Sequence, residues 1–396
     1  MVAAVLVRVA VIAASLHYPY NPSTDFKKEI LPLVKNLIAG HGFTLRDTIP
    51  WAWKGPLYPL LTAFFVFFFG EQFMVQRVFM VFLDLMCIPL IMKLGRLVFN
   101  TGTGLAAGFL WAFYVPSIWV AAILNYEAVT TILLLLSLYL LLVKGLVSWR
   151  WAAAAGLILS LATLCRASTL LLGPFLVFLG LFQLRKYKGV FSKLCLFAFV
   201  SLVGVLPWTI RNYQRFHVVI PVALSGSSSL FWGSEKAFLT EMDKKYVLVE
   251  ERLATLGFPG ELSIDPIVET RQFKEATLRN YARQWQENPW QLVDLYVTKL
   301  TMIFFYSDSG RWDQALMFLN LPIVILSLWG VWTLRRNMSF NMLVLFGTML
   351  YFWLFHLPFH IFFRFLLPVF PCFVLFASYC GERLWSSHIR QAPRNV

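Results

Sequence analysis

Eleven apolar stretches follow one another along the chain. They lie near 2–17, 57–69, 74–92, 103–124, 127–143, 151–164, 168–184, 190–208, 315–334, 341–356 and 359–381. Only 14% of residues are charged and 59% are hydrophobic, whereas a soluble domain carries about 25% charged residues. Repeated apolar runs of this length are read as helices that cross a bilayer. A closed barrel would need short segments of alternating polarity, which are absent. The predicted fold class is an all-α polytopic membrane protein.

Length decides which runs cross. A crossing helix needs roughly 17–25 residues. The run Leu57 to Phe69 has thirteen and follows Lys54-Gly55-Pro56, so it is expected to lie along the interface. Alternating the other ten from a cytoplasmic N-terminus places Lys93, Arg96, Lys144, Arg150, Arg185, Lys186, Lys188, Lys193, Arg335, Arg336, Arg383, Arg390 and Arg394 inside, with a single acid, Glu382. The outer segments are balanced: five basic and four acidic residues in 18–73, twelve and thirteen in 209–314. Basic residues accumulate on the cytoplasmic side of membrane proteins. About ten crossings with both termini cytoplasmic satisfy that rule, and counting 57–69 as a span would break it. The net charge of +14 therefore belongs to orientation and anionic lipid, and nucleic acid is not expected as a partner. The first run is interrupted by Arg8. No small-residue cleavage site follows it before Tyr18, so it does not read as a cleaved signal.

Three parts follow from this topology. Residues 1–208 form an N-terminal transmembrane module with a first outer loop at 18–73. Residues 209–314 form an outer loop domain, and 315–396 the last helices and a cytoplasmic tail. In the loop domain, Gly226, Gly233, Ser225 and the serines at 227–229 suggest turns. Residues 238–254 and 267–287 have helical spacing, and Asn288-Pro289 ends the second. Residues 290–306 are amphipathic and suit the membrane surface. No internal repeat is visible, which speaks against an inverted-repeat transporter. The five cysteines sit in apolar runs without a Cys-x-x-Cys pair, so neither a disulfide framework nor a zinc site is indicated. His356 and His360 have helical ligand spacing, but Pro358 lies between them. A divalent metal is left open, with Asp25 and Glu127 as the obvious ligands.

Charges near the spans are the informative residues, because a charge at mid-bilayer costs at least about 2.5–3.5 kcal/mol. Arg8 and Asp84 fall deep, and a buried ion pair between helices accounts for them. Arg77, Glu127, Arg166 and Arg364 fall near the outer ends of spans, at the level of Asp25 and Lys54. A carboxylate there can take a proton from a hydroxyl. Cations there can stabilise a departing phosphate, and apolar grooves can hold a lipid tail. The set suits transfer of a group from a lipid phosphate. The plainer reading is that the cations anchor helix ends to lipid headgroups.

The order of motifs resembles the GT-C membrane glycosyltransferases, in the branch of the protein O-mannosyltransferases, the aminoarabinose transferases and the RgtA/B/C/D-like proteins. A short span leads to Asp25. Leu37, Gly40, Gly42 and Phe43 follow, then Pro56-Leu57-Tyr58-Pro59. Arg77 opens the next span and Glu127 a later one. Leu206 to Tyr213 reads Leu-Pro-Trp-x-x-Arg-Asn-Tyr, and Arg364, Phe365, Pro368 and Pro371 open the last span.

The resemblance implies an inverting hexosyl or pentosyl transferase. It would move a sugar from a polyprenyl-phosphate donor to a glycan, lipid or protein acceptor outside the cytoplasm, at a bacterial-type inner membrane. Asp25 would be the base and Glu127 a supporting acid. Lys54, Arg364, Arg77 and Tyr58 would serve the donor phosphate, with Lys27, Lys28, Arg166 and Arg211 on the acceptor side or in support. One departure stands out. The family's second acid is displaced here to Glu29, with Lys27 and Lys28 in between. A transporter or flippase, or an inactive relative of the family, is the alternative. A transporter would need Arg8 and Asp84 to line a polar path.

Overall fold

The computed structural model describes residues 2–17, 23, 25–45, 49–182, 184–240, 245–258 and 265–391. The chain is helical almost throughout. The first half contains α1 (Val2–Leu16), α2 (Leu31–Ile38), α3 (Leu57–Phe69), α4 (Phe73–Val98), α5 (Thr101–Ala112), α6 (Val115–Ala122), α7 (Glu127–Leu140), α8 (Trp149–Cys165), α9 (Leu172–Leu181), α10 (Leu184–Val203) and α11 (Leu206–Phe216). The part expected to lie outside the membrane, the outer part, contains α12 (Gly226–Trp232), α13 (Ala237–Thr240), α14 (Lys245–Thr255), α15 (Pro266–Glu287) and α16 (Trp290–Met302). Helices α17 (Asp313–Leu334), α18 (Phe340–Phe355) and α19 (Phe370–Gln391) close the chain. A two-stranded antiparallel ribbon, β1 (Thr44–Leu45) with β2 (Ile49–Pro50), lies in the first loop.

Among the described residues, four helices are long and apolar enough to cross a membrane: Phe73–Val98, Glu127–Gly145, Gly189–Phe216 and Asp313–Leu334. The pair Thr101–Ala112 and Val115–Ala122, bent by 49°, is a fifth if its two helices count as one broken span. The expected count of about ten is therefore not reached on length and composition. The reason is that several apolar runs are themselves short and form helices of about their own length, among them Val2–Leu16, Trp149–Cys165 and Phe340–Phe355. At 1.5 Å per residue, a fifteen-residue helix rises only roughly 22 Å against a hydrocarbon core of about 30 Å.

The first half of α19 is the hub of the main core. Phe370, Phe373, Val374, Leu375 and Phe376 are fully buried there against α4, α5, α17 and α18. The helix starts later than the apolar run 359–381 implies. Pro358, Pro368 and Pro371 remove backbone donors, and residues 356–369 form turns and a short 3₁₀ segment at Phe363–Phe365. Arg364 thus sits in this irregular segment and not one turn inside the last span. His356 and His360 likewise lack the helical spacing read from sequence.

The deep charges pair as expected. Arg8 Nη2 lies 2.6 Å from Asp84 Oδ2, and Arg8 Nη1 donates to the carbonyls of Ala4 and Ala112. Satisfying both ions in place is what makes such burial tolerable.

The outer part differs from expectation at one point. The serines and glycine at 225–229 open a helix, α12, because Phe231 packs with Phe238 and Phe273 and overrides their turn preference. Helix α15 ends at Asn288 as read. Within the predicted helix 238–254, residues 241–244 lie outside the described residues, as does the predicted cytoplasmic Arg394. Lys299 on α16 ties this part to the segment that carries Arg364. It donates to the carbonyls of Gly233, Leu357 (2.8 Å) and Phe359 (3.0 Å). Burial pushes its pKa down to about 7, while three carbonyl acceptors, one for each ammonium proton, favour the charged form.

Replacing Lys299 by Met strands these carbonyls. An unsatisfied buried acceptor costs about 1–3 kcal/mol, so Lys299→Met is expected to lower the thermal midpoint in detergent by several degrees. An unchanged midpoint would show that the three bonds contribute nothing.

Candidate active site

The first long loop is built around an apolar stripe. Phe26, Ile30, Leu33 and Val34 are all buried, with Phe26 edge-on to Phe73 at 5.1 Å. Burying that stripe fixes the neighbouring faces of the π-helical turn Phe26–Ile30 and of α2. Asp25 and Glu29 turn inward together, and Lys27 and Lys28 are left exposed. Ser23 anchors the start of the turn: its N–H donates to the Ile123 carbonyl, and its own carbonyl accepts from Lys27. Asp25 is thereby tied to the connection between α6 and α7. Further on, Gly40 and Gly42 have φ of +85° and +74°, the left-handed values that favour glycine at a turn.

Lys54 arrives on an extended segment held from both sides. Trp51 N–H donates to the Phe43 carbonyl, and the carbonyls of Ala52 and Trp53 accept from Leu224 and Ser225 of the outer part. Gly55 lets this segment lie against the end of α8: a Cβ there would fall 2.1 Å from the Leu164 carbonyl oxygen. Lys54 Nζ then lies 3.2 Å from Asp25 Oδ2 and 2.9 Å from Glu29 Oε2. Arg364 reaches the same Asp25 oxygen at 3.4 Å and holds Asp308 with its Nε at 3.0 Å. A tight turn fixes Asp308, since Ser307 donates to Asp313 through both its N–H and its hydroxyl, and Phe363 N–H donates to the Tyr306 carbonyl.

Charges thus alternate along a chain of five side chains: Glu29, Lys54, Asp25, Arg364, Asp308. The two cations lie lower, each 17% exposed, and the carboxylates lie at the rim, at 33–51%. Burial pushes the Asp25 carboxyl up, but Arg364 and Lys54 outweigh it and bring the carboxyl down to about 2. Burial lowers the Lys54 ammonium, and Asp25 and Glu29 raise it beyond the ordinary lysine value.

A second pair stands beside the chain. Arg166 Nη1 lies 3.0 Å from Glu127 Oε1, and Glu127 is fully buried. Two rings join the groups. The Tyr126 ring meets Lys54 at 5.8 Å and Arg166 at 5.5 Å. Phe365 meets Arg166 at 4.7 Å and Arg364 at 5.6 Å. These are cation–π distances.

The geometry can be set beside known proteins. The sequence model described as dolichyl-phosphate-mannose-protein mannosyltransferase matches residues 53–210. The archaeal oligosaccharyltransferase AglB of Archaeoglobus fulgidus, solved with an inhibitory peptide and a dolichol phosphate, is similar over 99% of this chain and 52% of its own, at 13% identity and a TM-score of 0.57. This chain has the GT-C fold. A second structure of the A. fulgidus enzyme, tethered to an acceptor peptide with an NVT sequon, has a TM-score of 0.57 at 15% identity, covering 99% of this chain and 51% of that one. ArnT of Cupriavidus metallidurans bound to undecaprenyl phosphate gives 0.44 at 14% identity, over 100% of this chain and 81% of that one. The chain spans about half the length of the oligosaccharyltransferase it matches. No curated protein matches the sequence directly.

Within this fold, Asp25, Lys54 and Arg364 meet, and Glu127 joins Arg166 beside them. Tyr58 does not face the cluster with its hydroxyl. It is buried, and it donates to the carbonyl of Leu124, whose φ of 59° marks a strained turn. Arg77 is buried on α4 and makes no ion pair with Asp25, Glu29 or Glu127. Arg211 supports the loop: it donates to the carbonyls of Trp51 and Phe43 at 3.0 Å and stacks on Trp208 at 4.7 Å. Sequence reasoning missed Asp308 and Tyr126 and undervalued Glu29. The signal for Glu29 was its place four residues after Asp25. Asp308 offered none. Among the described residues, no group of three or more His, Cys, Asp or Glu side chains is arranged to hold a metal, and His356 Nδ1 is hydrogen-bonded to the Phe352 carbonyl.

The depressed Asp25 carboxyl has a consequence for stability. A carboxyl whose folded pKa is below its unfolded value stabilises the fold above the unfolded value. Asp25 therefore contributes fully above pH 3.8, and its contribution fades as pH falls towards 2. The gap in thermal midpoint between wild type and Asp25→Asn is expected to close over that range. A gap independent of pH would contradict the ion pairs.

Proposed function

We propose that this chain is a glycosyltransferase that moves a sugar from a polyprenyl-phosphate donor to an acceptor hydroxyl on the extracytoplasmic side of a membrane, with inversion. The observation that carries the reading is the convergence of Lys54 and Arg364 on one oxygen of Asp25. A phosphate needs cations to take up the charge it gains on leaving, and an attacking hydroxyl needs a base within reach. Here both stand side by side. Asp25 is partly open to solvent and can meet an acceptor, whereas Glu127 is enclosed and suits a supporting role beside Arg166.

In this mechanism the prenyl tail lies between apolar helices, and the phosphate is held by Lys54 and Arg364. The acceptor oxygen attacks the anomeric carbon from the face opposite the phosphate, and its proton passes to Asp25. The carbon–phosphate oxygen bond breaks, and the electron pair leaves with the prenyl phosphate. The matched family model and the oligosaccharyltransferase solved with dolichol phosphate support this class of donor. The large loop (209–290) is proposed to read the acceptor and to close over the site.

The membrane arrangement proposed with this reading has both termini cytoplasmic and about ten crossings in an inner, bacterial-type membrane. The shorter helices cross where loops or tilted neighbours complete the span. Helix α3 lies along the interface, with Phe64, Phe67 and Phe68 exposed.

In membranes supplied with polyprenyl-phosphate sugars, Asp25→Asn is expected to lower transfer by about 10²–10⁴-fold while the protein stays folded. Lys54→Met is expected to lower it by about 10²-fold or more. Turnover retained by Asp25→Asn would remove Asp25 as the base, and no transfer by wild type with any such donor would remove the reading itself.

A further inference from the structure

Lys54 and Arg364 are already occupied. Glu29 holds Lys54 at 2.9 Å, closer than Asp25 does at 3.2 Å. Asp308 lies 3.0 Å from Arg364 Nε as an ion pair, and Asp25 accepts a hydrogen bond from Arg364 Nη2 at 3.4 Å. Three carboxylates surround two cations, so the five side chains are one negative charge in excess. A phosphate that reaches Lys54 or Arg364 competes there with carboxylates already in place.

Resting on the transferase reading, we propose that Glu29 and Asp308 are place-holding carboxylates: the prenyl phosphate binds by exchange with them on Lys54 and Arg364, and the same exchange frees Asp25 to act as base. The two carboxylates are placed for it. Their side chains are the more exposed partners, at 40% and 51%, against 17% for each cation. Each of these carboxylates keeps part of its side chain at the surface, so water can serve it once it has lost its cation. The buried cation exchanges one charge-assisted contact for another of the same class. The exchange also alters Asp25. While both cations rest on it, its carboxyl is held near 2 and is a poor base. Once they turn to phosphate, burial acts with less opposition and raises it. A base that gains strength only when the donor is in place limits proton transfer to the loaded enzyme. After transfer the prenyl phosphate is a monoester of up to two negative charges, and the returning carboxylates help to expel it.

The displaced second acid of the sequence thereby acquires a task. Glu29, four residues after Asp25, is placed by the π-helical turn on the same lysine, where it competes with the phosphate.

The test is the affinity of the full chain in lipid nanodiscs for undecaprenyl phosphate, with undecaprenol as the control that lacks phosphate. Glu29→Gln and Asp308→Asn each remove one competitor and are expected to bind undecaprenyl phosphate at least about 3-fold tighter, since each removes a part-buried ion pair that the phosphate must displace. Lys54→Met is expected to bind it at least 10-fold more weakly. Thermal midpoints measured alongside report folding, and two separate variants guard against one local defect. Weaker or unchanged binding by both Glu29→Gln and Asp308→Asn, with midpoints intact, would overturn the exchange and leave the transferase reading standing. Wild type that binds the phosphate no tighter than undecaprenol would overturn that reading and the exchange with it.

Discussion

The organisation of this molecule depends on compensating charge at the edge of a low-dielectric frame. A bilayer-embedded fold can hide a charge only if a partner is hidden with it. Arg8 and Asp84 meet that condition completely, with the remaining arginine donors spent on backbone carbonyls. Asp25, Lys54 and Arg364 meet it differently. Their partners are carboxylates at the rim that water can also serve. The first pair is a closed structural contact, and the second set is one that a charged ligand could enter.

Bringing that set together takes three distant parts of the chain. The first loop supplies Asp25 and Glu29 through its buried stripe. Lys54 comes on a segment clamped by Arg211 and by the backbone of residues 224–225. Arg364 comes on the proline-broken approach to α19, which Lys299 ties to the outer part. The cluster is therefore a junction of the transmembrane frame with the outer part. A shift of the outer part would be felt at both cations.

Much of this was legible in the sequence. Apolar run length gave the helical membrane class, and the run Leu57 to Phe69 became a helix with the same bounds. The deep charges announced their own pair, because an isolated charge there is too costly. The order of motifs pointed to the fold that the structural comparisons show. Other features were hidden for physical reasons. The position of Arg364 outside a helix follows from three prolines acting together, which an apolar count does not register. The serine-rich helix α12 forms because Phe231 has a core to enter, a fact of tertiary packing. Asp308 reaches Arg364 only through the turn at Ser307 and Asp313. Tyr58 lies in a matching motif, and that its hydroxyl donates to the carbonyl of the strained Leu124 turn is a fact of tertiary structure that the motif does not carry.

The central claim is that Lys54 and Arg364 exchange carboxylates for a lipid phosphate. A structure of the full chain in lipid nanodiscs with a bound polyprenyl phosphate tests it most directly. The account predicts phosphate oxygens within hydrogen-bonding distance of Lys54 Nζ and the Arg364 guanidinium, with Asp25 released from at least one of them. A phosphate seated elsewhere, with both cations still on Asp25, would contradict it.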